Sequence, residues 1–295
     1  MAGGTEREGK KKILIQLDSD PAPSVFDRVV AVDAGADFIF AYGGVKPASV
    51  RDLIHGAIFT RGPEDLRSTA VFVGGSDISL GEEILREIEK AFFGPLRVSV
   101  LLDGAGSNTT AAAAVVAASR HAKLEGSRAV VLGSSGPVGR RVARLLALSG
   151  ARTVVASRSL ERAGEVAREV KERSKDACVE AVATSTPQEL AAALDGAGIV
   201  IAAGGPGARL LPRDQRLAAK SLRVAIDLNA VPPEGIEGVK ATDAAKERDG
   251  VVAHGAIGVG GFKMKIHKAA LRKLFESNDQ VLDLERVFEL AKTLG

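Results

Sequence analysis

The sequence predicts an α/β protein of two domains, each built on a parallel sheet, and three observations support this class. Short apolar runs of strand length alternate with longer amphipathic stretches of helical period along most of the 295 residues. Repeated alternation of strand and helix is typical of parallel sheets with helices on both faces. The chain is long enough for two such cores, and a glycine-rich turn joins a strand to a helix near its middle.

Nine apolar runs are predicted to be strands, and helical patterns separate several of them. Two of these helices show clear apolar spacing, at 84–92 and at 142–147. The stretch Ser107–Ala122 has a polar start, so we expect a helix capped by Ser107 or Asn108, with a tightly packed alanine-rich body. The predicted strands are Ile13–Leu17, Asp37–Tyr42, Ala70–Val73, Val98–Leu102, Ala129–Leu132, Thr153–Ala156, Cys178–Val182, Ile199–Ala202 and Val224–Asp227.

The order of these elements predicts how the chain divides into domains. Residues 11–106 form the first α/β domain and residues 107–264 form the second. The C-terminal helices, residues 265–295, return to the first domain, which creates a cleft between the two. Residues 1–10 are polar and glycine-rich and are predicted to be a flexible tail.

The composition excludes several classes of protein. The net charge of +3 is too small for a protein that binds nucleic acid mainly through charge. No apolar run approaches the roughly 20 residues of a membrane span, and no signal-peptide segment follows the polar N-terminus. The single cysteine, Cys178, and four scattered histidines suggest neither a disulfide nor a metal site. We therefore expect a cytoplasmic protein without nucleic acid, membrane or metal partners.

The strongest local motif is the glycine turn, the sequence GSSGPVG that follows the strand Ala129–Leu132 and begins a helix. Gly136 and Gly139 match the second and third glycines of G-x-G-x-x-G, so this context predicts a Rossmann-type domain whose turn and helix N-terminus hold a diphosphate. Ser134 replaces the first glycine, and a tight turn without a ligand is the alternative interpretation. The predicted cofactor contacts in the turn are Gly133, Ser134, Ser135, Gly136, Pro137, Val138 and Gly139.

The end of the next strand indicates which dinucleotide binds. An acidic residue there would bind the ribose 2′-hydroxyl of NAD, whereas this chain has Ser157, Arg158 and Ser159. A guanidinium binds a 2′-phosphate in bidentate fashion, and the flanking hydroxyls add donors. We therefore expect NADP, with use of NAD also open. The alternative is that Arg158 is an ordinary solvated charge.

Two later turns follow predicted strands, at the edge where a Rossmann sheet binds ligands. The first contains Ala203 and Gly204, and the second begins at Asn229. We predict that these three residues contact the cofactor on its nicotinamide side. Both turns are also explained by ordinary turn chemistry.

An acid–base machinery is missing from the sequence. Tyr42 and Lys46 have the spacing of a proton relay, but Gly43, Gly44 and Pro47 argue against the helix that this relay needs. Some hydride transfers need no proton transfer. Oxidation of a methylene between two nitrogens gives a resonance-stabilised cation, and the protein then supplies mainly orientation and electrostatics.

Three further segments are long and unusual, namely 16–37 (QLDSDPAPSVFDRVVAVDAGAD), 101–113 (LLDGAGSNTTAAA) and 255–277 (GAIGVGGFKMKIHKAALRKLFES). Together with GSSGPVG and DLNAVPP they resemble the bacterial NAD(P)-dependent methylene-tetrahydromethanopterin dehydrogenases, from about Lys11 to the C-terminus. The resemblance implies a pterin-side first domain, an NADP-binding second domain and homo-oligomers, with a trimer among the options. It also implies reversible oxidation of a methylene-tetrahydropterin to the methenyl form by direct hydride transfer, in one-carbon metabolism. The family's turn reads G-T-G-P-V-G, and Ser134 departs from it.

The resemblance also implies which residues serve the substrate. Asp20, Lys263 and His267 are the expected catalytic residues: a carboxylate balances the cationic product, and Lys263 orients the pterin. Asp18, Asn108, Thr109 and Lys265 are the expected substrate-binding residues. Each has a structural alternative: the aspartates cap a loop, Asn108 and Thr109 cap a helix, and the residues after Gly261 form a solvated helix face with a packed histidine.

Two other activities and one non-catalytic role remain open at this point. A methylene-tetrahydrofolate dehydrogenase or a shikimate-dehydrogenase-like reductase would use a similar plan of two domains. A protein that only senses NADP would bind the dinucleotide without needing the polar segments around Asp20, Asn108 and Lys263.

Overall fold

The computed structural model describes residues 9–295, which divide into two compact units. The first unit runs to Gly106 and includes His267–Arg286, and the second consists of Ser107–Ile266 and Val287–Gly295. The predicted flexible tail lies outside the described residues, apart from residues 9 and 10.

Strands and helices alternate along the chain as the sequence predicts. The elements up to residue 106 are β1 (Ile13–Asp18), α1 (Val25–Asp33), β2 (Phe38–Tyr42), α2 (Pro47–Ile58), β3 (Thr69–Gly74), α3 (Ile78–Ala91) and β4 (Ser99–Leu102). The later elements are α4 (Ser107–Ser119), β5 (Arg128–Leu132), α5 (Pro137–Leu148), β6 (Arg152–Ser157), α6 (Leu160–Arg173), β7 (Val179–Ala183), α7 (Pro187–Leu194), β8 (Ile199–Ala202), α8 (Arg213–Ala218), β9 (Val224–Asp227), β10 (Lys246–Arg248), β11 (Val251–His254), α9 (Ala256–Lys273), β12 (Val281–Leu282) and α10 (Leu284–Leu294).

The first unit contains a five-stranded parallel sheet in the order β12-β4-β3-β1-β2. Alternate residues of β1, β3 and β4 point to the same face and form a core with α2 and α3. Ile15, Val71 and Val100 are examples, each at most 8% exposed. On the opposite face, Gln16 pairs in register with Phe72. The two helices follow β2 and β3 and therefore cover one face of the sheet.

The second unit contains a seven-stranded sheet in the order β10-β11-β9-β8-β5-β6-β7, parallel except for the edge strand β10. The chain adds β6 and β7 on one side of β5, and it then crosses over to add β8, β9 and β11 on the other side. The strand order thus reverses between β5 and β8, which is the topological switch point where open α/β sheets bind ligands. The inner strands are buried on both faces, as expected for a sheet between helical layers.

Helix α4 confirms the predicted tight packing, because every residue from Ala111 to Ala118 is buried. Small alanine side chains allow this helix to approach α5 and β9 closely. The predicted cap at Ser107 or Asn108 was wrong, because α4 already begins at Ser107. Asn108 lies inside α4, and its side-chain oxygen accepts a hydrogen bond from Nε of Arg141 on α5.

The C-terminal residues differ from the predicted division, which assigned all of 265–295 to the first domain. Val287–Gly295 belongs to the second unit. The end of α10 contacts that unit directly, since Nζ of Lys265 donates to the carbonyl oxygen of Leu294 at 3.0 Å. The sequence shows that α10 is amphipathic. It does not show which of the two hydrophobic cores the apolar face of this helix packs against.

All nine predicted strands are present, each within one residue of the predicted bounds. The prediction omitted β10, β11 and β12. Strand β10 has the polar sequence Lys-Glu-Arg, and β12 has only 2 residues, so neither carries a strand pattern. No helix within residues 9–295 is long and apolar enough to cross a membrane.

Candidate functional site

The carboxyl edge of the seven-stranded sheet brings the predicted cofactor residues together. The glycine turn follows β5, and Ala203 and Gly204 follow the neighbouring strand β8, so both lie at the switch point. A Cβ atom on Gly133 would lie 2.8 Å from Cα of Gly204. This contact leaves no room for a side chain at Gly133. The two turns therefore form one continuous backbone surface.

The glycine turn has the geometry that a diphosphate requires. Gly133 has φ of +72°, a conformation that glycine adopts without strain. A Cβ on Gly139 would lie 2.6 Å from the carbonyl oxygen of Gly133, so glycine is needed for α5 to start this close to the turn. A Cβ on Gly136, by contrast, would have its nearest neighbour 3.7 Å away, so space remains in front of the Gly136 backbone.

The start of α5 provides donors for an anion at this place. Gly136 is the N-cap residue and no side chain caps the helix there, while Pro137 occupies the first turn with the φ that a helix needs. The N–H groups at a helix start have no partner within the helix, and the dipole adds positive potential. Val138 and Gly139 carry two of these groups. The turn therefore fits the phosphates of a dinucleotide.

Ser134 is accommodated in the turn without strain. The positive φ falls on Gly133, and Ser134 is not among the residues in the left-handed region. Its side chain is fully buried, and its Oγ donates to the carbonyl oxygen of Ala156 on β6 at 3.1 Å. Ser135, next in the turn, is half-buried, and its carbonyl oxygen accepts from Nε of Arg140 at 3.1 Å.

The residues after β6 are arranged around the exposed Arg158. Oγ of Ser157 accepts from the backbone N–H of Ser159 at 3.3 Å, and Oγ of Ser159 accepts from the N–H of Arg162, which caps α6. Both hydroxyl oxygens act as acceptors in these bonds, so each hydroxyl hydrogen is still available for donation. A guanidinium and two hydroxyls thus lie in consecutive positions at the carboxyl end of β6.

Asn229 plays a structural part that the sequence did not reveal. Its Nδ2 donates to the carbonyl oxygens of Val231 at 2.7 Å and Pro233 at 2.9 Å, and its Oδ1 accepts from the N–H of Val231. Both amide hydrogens are used within the turn, so a cofactor would meet the backbone here and not this side chain.

Burial raises the pKa of Asp227, at the end of β9, against the opposing effect of its backbone donors.

The carboxyl edge of the first unit's sheet holds the two predicted aspartates. Asp18 is only 1% exposed, and its carboxylate accepts from the N–H groups of Asp20 and Ser24 and from Nε2 of Gln16. It organises the loop after β1, as the structural alternative expected. Asp20 is partly exposed, and its two oxygens accept from the N–H and Oγ of Ser76 at 3.0 and 2.7 Å. Of the two, Asp20 is the one that a ligand can reach.

Asn108 and Thr109 are buried in α4, at 1% and 0% exposure. The carboxamide oxygen of Asn108 is bonded to Arg141, whose Nη1 also donates to the carbonyl oxygen of Pro137 at 3.3 Å. Arg141 thereby connects α4 to the first residue of α5. Arg141 was not predicted from the sequence, because a position on an amphipathic helix is typical of a solvated charge.

His267 is fully buried in the first unit and does not lie on an open helix face. Its Nε2 is 3.8 Å from Oδ1 of Asp27, and its Nδ1 is 3.7 Å from Oδ2 of Asp103. Its ring stacks on Phe72 with the centroids 5.9 Å apart. The catalytic role of His267 stays a prediction, and its burial favours an indirect part through neighbouring side chains. Asp27 and Asp103 were missed, although Asp103 directly follows a strand.

The two predicted lysines lie on α9 within the second unit. Lys263 is half-buried, whereas Lys265 is exposed and donates to the carbonyl oxygen of Leu294. The relay spacing of Tyr42 and Lys46 is not helical, since Tyr42 ends β2 and Lys46 precedes α2. No group of three or more potential metal ligands occurs within the part of the chain that the structure describes.

Comparison with known proteins relates both halves of the chain to dehydrogenases. Residues 25–105 match the family model "Methylene-tetrahydromethanopterin dehydrogenase, N-terminal", and residues 115–246 match "Shikimate / quinate 5-dehydrogenase". The chain is 46% identical to the "Bifunctional protein MdtA" of Methylorubrum extorquens, over 97% of this chain and 99% of the relative. It is 35% identical to the "NAD(P)-dependent methylenetetrahydromethanopterin dehydrogenase" of the same organism, over 95% of this chain and 98% of the relative.

Solved structures show the same fold at low sequence identity. The chain is similar to shikimate 5-dehydrogenase from Listeria monocytogenes, with a TM-score of 0.53, 16% identity, and coverage of 97% of this chain and 98% of that one. It is also similar to 5-ketofructose reductase from a Gluconobacter strain, with a TM-score of 0.54, 16% identity, and coverage of 97% and 99%. These likenesses confirm the predicted fold class, a Rossmann-type sheet with a second α/β unit.

Proposed function

Because this chain belongs to the methylene-tetrahydromethanopterin dehydrogenase family, we propose that it is an NAD(P)-dependent oxidoreductase of reduced pterins. It oxidises the methylene group of 5,10-methylene-tetrahydromethanopterin reversibly to the methenyl form, with direct hydride transfer to NADP, in one-carbon metabolism. The observation that carries this proposal is the glycine turn after β5. A ligand can approach the backbone at Gly136, whereas Gly133 and Gly139 are packed directly against other backbone atoms.

The cofactor side of the proposal uses the second unit. The bound nicotinamide supplies the hydride acceptor. The N–H groups at the start of α5 would bind the diphosphate, beside the backbone of Ala203 and Gly204. The turn held by Asn229 presents backbone groups at the next strand end along the sheet. These contacts orient the ring, and orientation is the main demand of this reaction.

Arg158 decides the choice between NADP and NAD in this proposal. It is exposed at the end of β6, where an acidic residue would repel a 2′-phosphate. The hydroxyls of Ser157 and Ser159 flank it and are held by backbone donors. The arrangement supports a preference for NADP, and NAD remains a usable cofactor because the diphosphate contacts are common to both.

On the substrate side, we distinguish residues that contact the pterin from buried residues that hold those contacts in place. Asp20 and Lys263 are the accessible charged residues: Asp20 balances the cationic methenyl product, and Lys263 orients the pterin ring or its anionic tail, with Lys265 nearby on the same helix. Asp18, Asn108, Thr109 and His267 are buried, so they act as positioning residues. No step transfers a proton, which agrees with the lack of an accessible acid–base pair among these residues.

A panel of cofactors and substrates tests the proposal. The protein is assayed with NADP and NAD against methylene-tetrahydromethanopterin, methylene-tetrahydrofolate and shikimate. We expect the highest kcat/KM with the methanopterin substrate and NADP. Shikimate is the specific alternative, because residues 115–246 match a shikimate dehydrogenase model. Turnover of shikimate alone would replace the proposed substrate, and binding of NADP without turnover of any of the three would indicate a sensor.

We also propose that the protein is a homo-oligomer, with a trimer among the options. Seven of the fourteen large apolar side chains that are exposed within residues 9–295 fall between Val25 and Tyr42. They lie on α1 and on the edge strand β2, as Val25, Phe26, Val29, Val32, Phe38, Phe40 and Tyr42. An apolar surface of this kind is typical of an interface.

We propose a cytoplasmic location, in keeping with the single cysteine.

A further inference from the structure

Ser134 sits between two elements of the proposed cofactor site. Its backbone N–H and its Oγ both donate to the carbonyl oxygen of Ala156, each at 3.1 Å. A carbonyl oxygen has two lone pairs and accepts both bonds. Ala156 precedes Ser157, the last residue of β6, and Arg158 follows directly. The glycine turn is thus bonded to the strand that ends at the proposed 2′-phosphate contact.

The start of α5 rests on the backbone of Ser134. A Cβ on Gly139 would lie 2.8 Å from Cα of Ser134 and 2.6 Å from the carbonyl oxygen of Gly133. The first turn of the helix therefore has no freedom to move toward Ser134 unless Ser134 moves as well. Any shift of Ser134 changes the position of the N–H groups that bind the diphosphate.

Glycine at this position would lack both the second bond and the restriction of the backbone. The left-handed conformation belongs to Gly133, so residue 134 does not need the freedom of glycine. A serine there reduces the number of conformations open to the turn. Because the hydroxyl is fully buried and points to Ala156, it does not itself reach the phosphates.

We propose that Ser134 is a positioning residue that fastens the glycine turn to β6, and so fixes the diphosphate donors relative to Arg158. The inference rests on the proposed binding of a dinucleotide by the second unit. It predicts an effect on the affinity for NADP and on the preference for NADP over NAD. The effect on kcat at saturating cofactor should be smaller than the effect on the Kd for NADP.

The test compares Ser134→Ala and Ser134→Gly with the unchanged protein. Isothermal titration gives the Kd for NADP and for NAD, and steady-state assays give kcat. We expect the Kd for NADP to rise about 3-fold in Ser134→Ala and about 10-fold in Ser134→Gly, as the loss of one buried hydrogen bond and then of backbone restriction implies. The Kd for NAD should rise less, because NAD lacks the phosphate that contacts Arg158.

Ser149→Ala is the matched control. Oγ of Ser149 donates to the carbonyl oxygen of Leu145 at 2.8 Å, at the opposite end of the same helix. This variant loses a similar bond without touching the turn, and its Kd for NADP should equal that of the unchanged protein. Thermal unfolding without cofactor shows how much each variant is destabilised.

Two results would overturn the inference. One is an unchanged Kd for NADP in both Ser134 variants. The other is an equal rise in the Kd of the Ser149→Ala control, which would show a general loss of stability. If the unchanged protein binds NADP but oxidises no pterin, the proposed reaction fails while these Kd values still decide the role of Ser134. If the unchanged protein binds neither dinucleotide, both proposals fail.

Discussion

At the scale of single residues, exposure separates the residues that a ligand can touch from those that hold the site in place. Arg158, Asp20 and Lys263 are accessible, whereas Asp18 and His267 are enclosed. Arg158 was predicted from its place after a strand, and the other four were implied by the resemblance to a dehydrogenase family. Sequence patterns do not encode which side of a loop a carboxylate faces, so the sequence could not divide them.

The first prediction concerns Arg158. We expect Arg158→Ala to raise the KM for NADP about 10- to 100-fold, the range for a lost charge-assisted contact with a phosphate, and to leave the KM for NAD nearly unchanged. Steady-state kinetics with both cofactors measure this. Arg168→Ala, an exposed arginine further along α6, is the control and should change neither constant. If the KM for NADP is unaltered in Arg158→Ala, Arg158 does not contact the 2′-phosphate.

The second prediction concerns Lys263. We expect Lys263→Ala to lower kcat/KM for the pterin about 100-fold, because it removes a charge that orients the substrate, with the Kd for NADP unchanged. Kinetics and calorimetry on the same preparation measure both quantities. Lys273→Ala, at the end of the same helix, is the control, since Lys273 pairs with Glu276 on the surface. If Lys263→Ala lowers both the pterin turnover and the affinity for NADP, the assignment of Lys263 to the substrate alone is wrong.

The third prediction concerns His254, which is 6% exposed at the end of β11. Burial, with smaller effects from His121 and Arg120, holds its pKa below the ordinary 6.5. The unfolded chain therefore takes up a proton near pH 6.5 that the folded protein does not, and stability falls as the pH drops below that value. His254→Asn should weaken this dependence of stability on pH, because an amide takes up no proton in this range. The amide oxygen can still accept the hydrogen bond that the N–H of Ala245 now donates to Nδ1 of His254.

Thermal unfolding between about pH 7.5 and about pH 5.5 measures the contribution of His254. His55→Asn, a substitution on α2, controls for the loss of a histidine elsewhere in the chain. If His254→Asn and the unchanged protein lose the same number of degrees on acidification, His254 is not responsible.

At the scale of elements, the sequence predicted the strands well because each is a short apolar run between breakers. Val130 and Ile201, for example, lie in runs that are buried on both sides. The elements that it missed are those formed by context. Strand β10 is polar and pairs only because the chain turns back at Asp249 and Gly250, and β12 is held by β4. Neither Ser107 nor Asn108 caps α4, because both lie inside the helix, where the Asn108 oxygen accepts a hydrogen bond from Arg141.

The fourth prediction concerns the contact of α5 with the glycine turn. Gly139→Ala places a Cβ 2.6 Å from the carbonyl oxygen of Gly133, so the helix start must move away from the turn. We expect NADP binding to weaken at least about 10-fold and stability to fall by about 1–3 kcal/mol, as for other overpacked sites. Calorimetry and chemical denaturation measure these effects.

Gly164→Ala provides the control for this substitution. Gly164 lies within α6, and a Cβ there would meet no atom within 4 Å. Alanine favours the helix over glycine, so this variant should be up to about 1 kcal/mol more stable and should bind NADP normally. Equal effects of the two substitutions would mean that the turn tolerates displacement of α5.

At the scale of the whole molecule, the sequence predicted two α/β domains and the structure contains two units. The second unit begins at Ser107. The return of the C-terminus was only partly predicted, since His267–Arg286 joins the first unit and Val287–Gly295 joins the second. An amphipathic helix such as α10 shows that it needs a partner but does not show which one.

The fifth prediction concerns assembly. Phe40 lies in the middle of β2, is 49% exposed and belongs to the apolar surface of α1 and β2. We expect Phe40→Asp to reduce the molar mass measured by light scattering toward that of one chain, because a buried unpaired charge is costly at an interface. Phe93→Asp is the control, since Phe93 is 70% exposed outside that surface. An unchanged mass for Phe40→Asp would place the interface elsewhere.

The proposed reaction is direct hydride transfer from a reduced pterin to NADP held by the second unit. The most direct test uses methylene-tetrahydromethanopterin with deuterium on the methylene carbon, NADP, and ordinary water, followed by mass spectrometry of the NADPH that forms. We expect the NADPH to carry the deuterium from the pterin. NADPH without deuterium, or no NADPH at all, would contradict it.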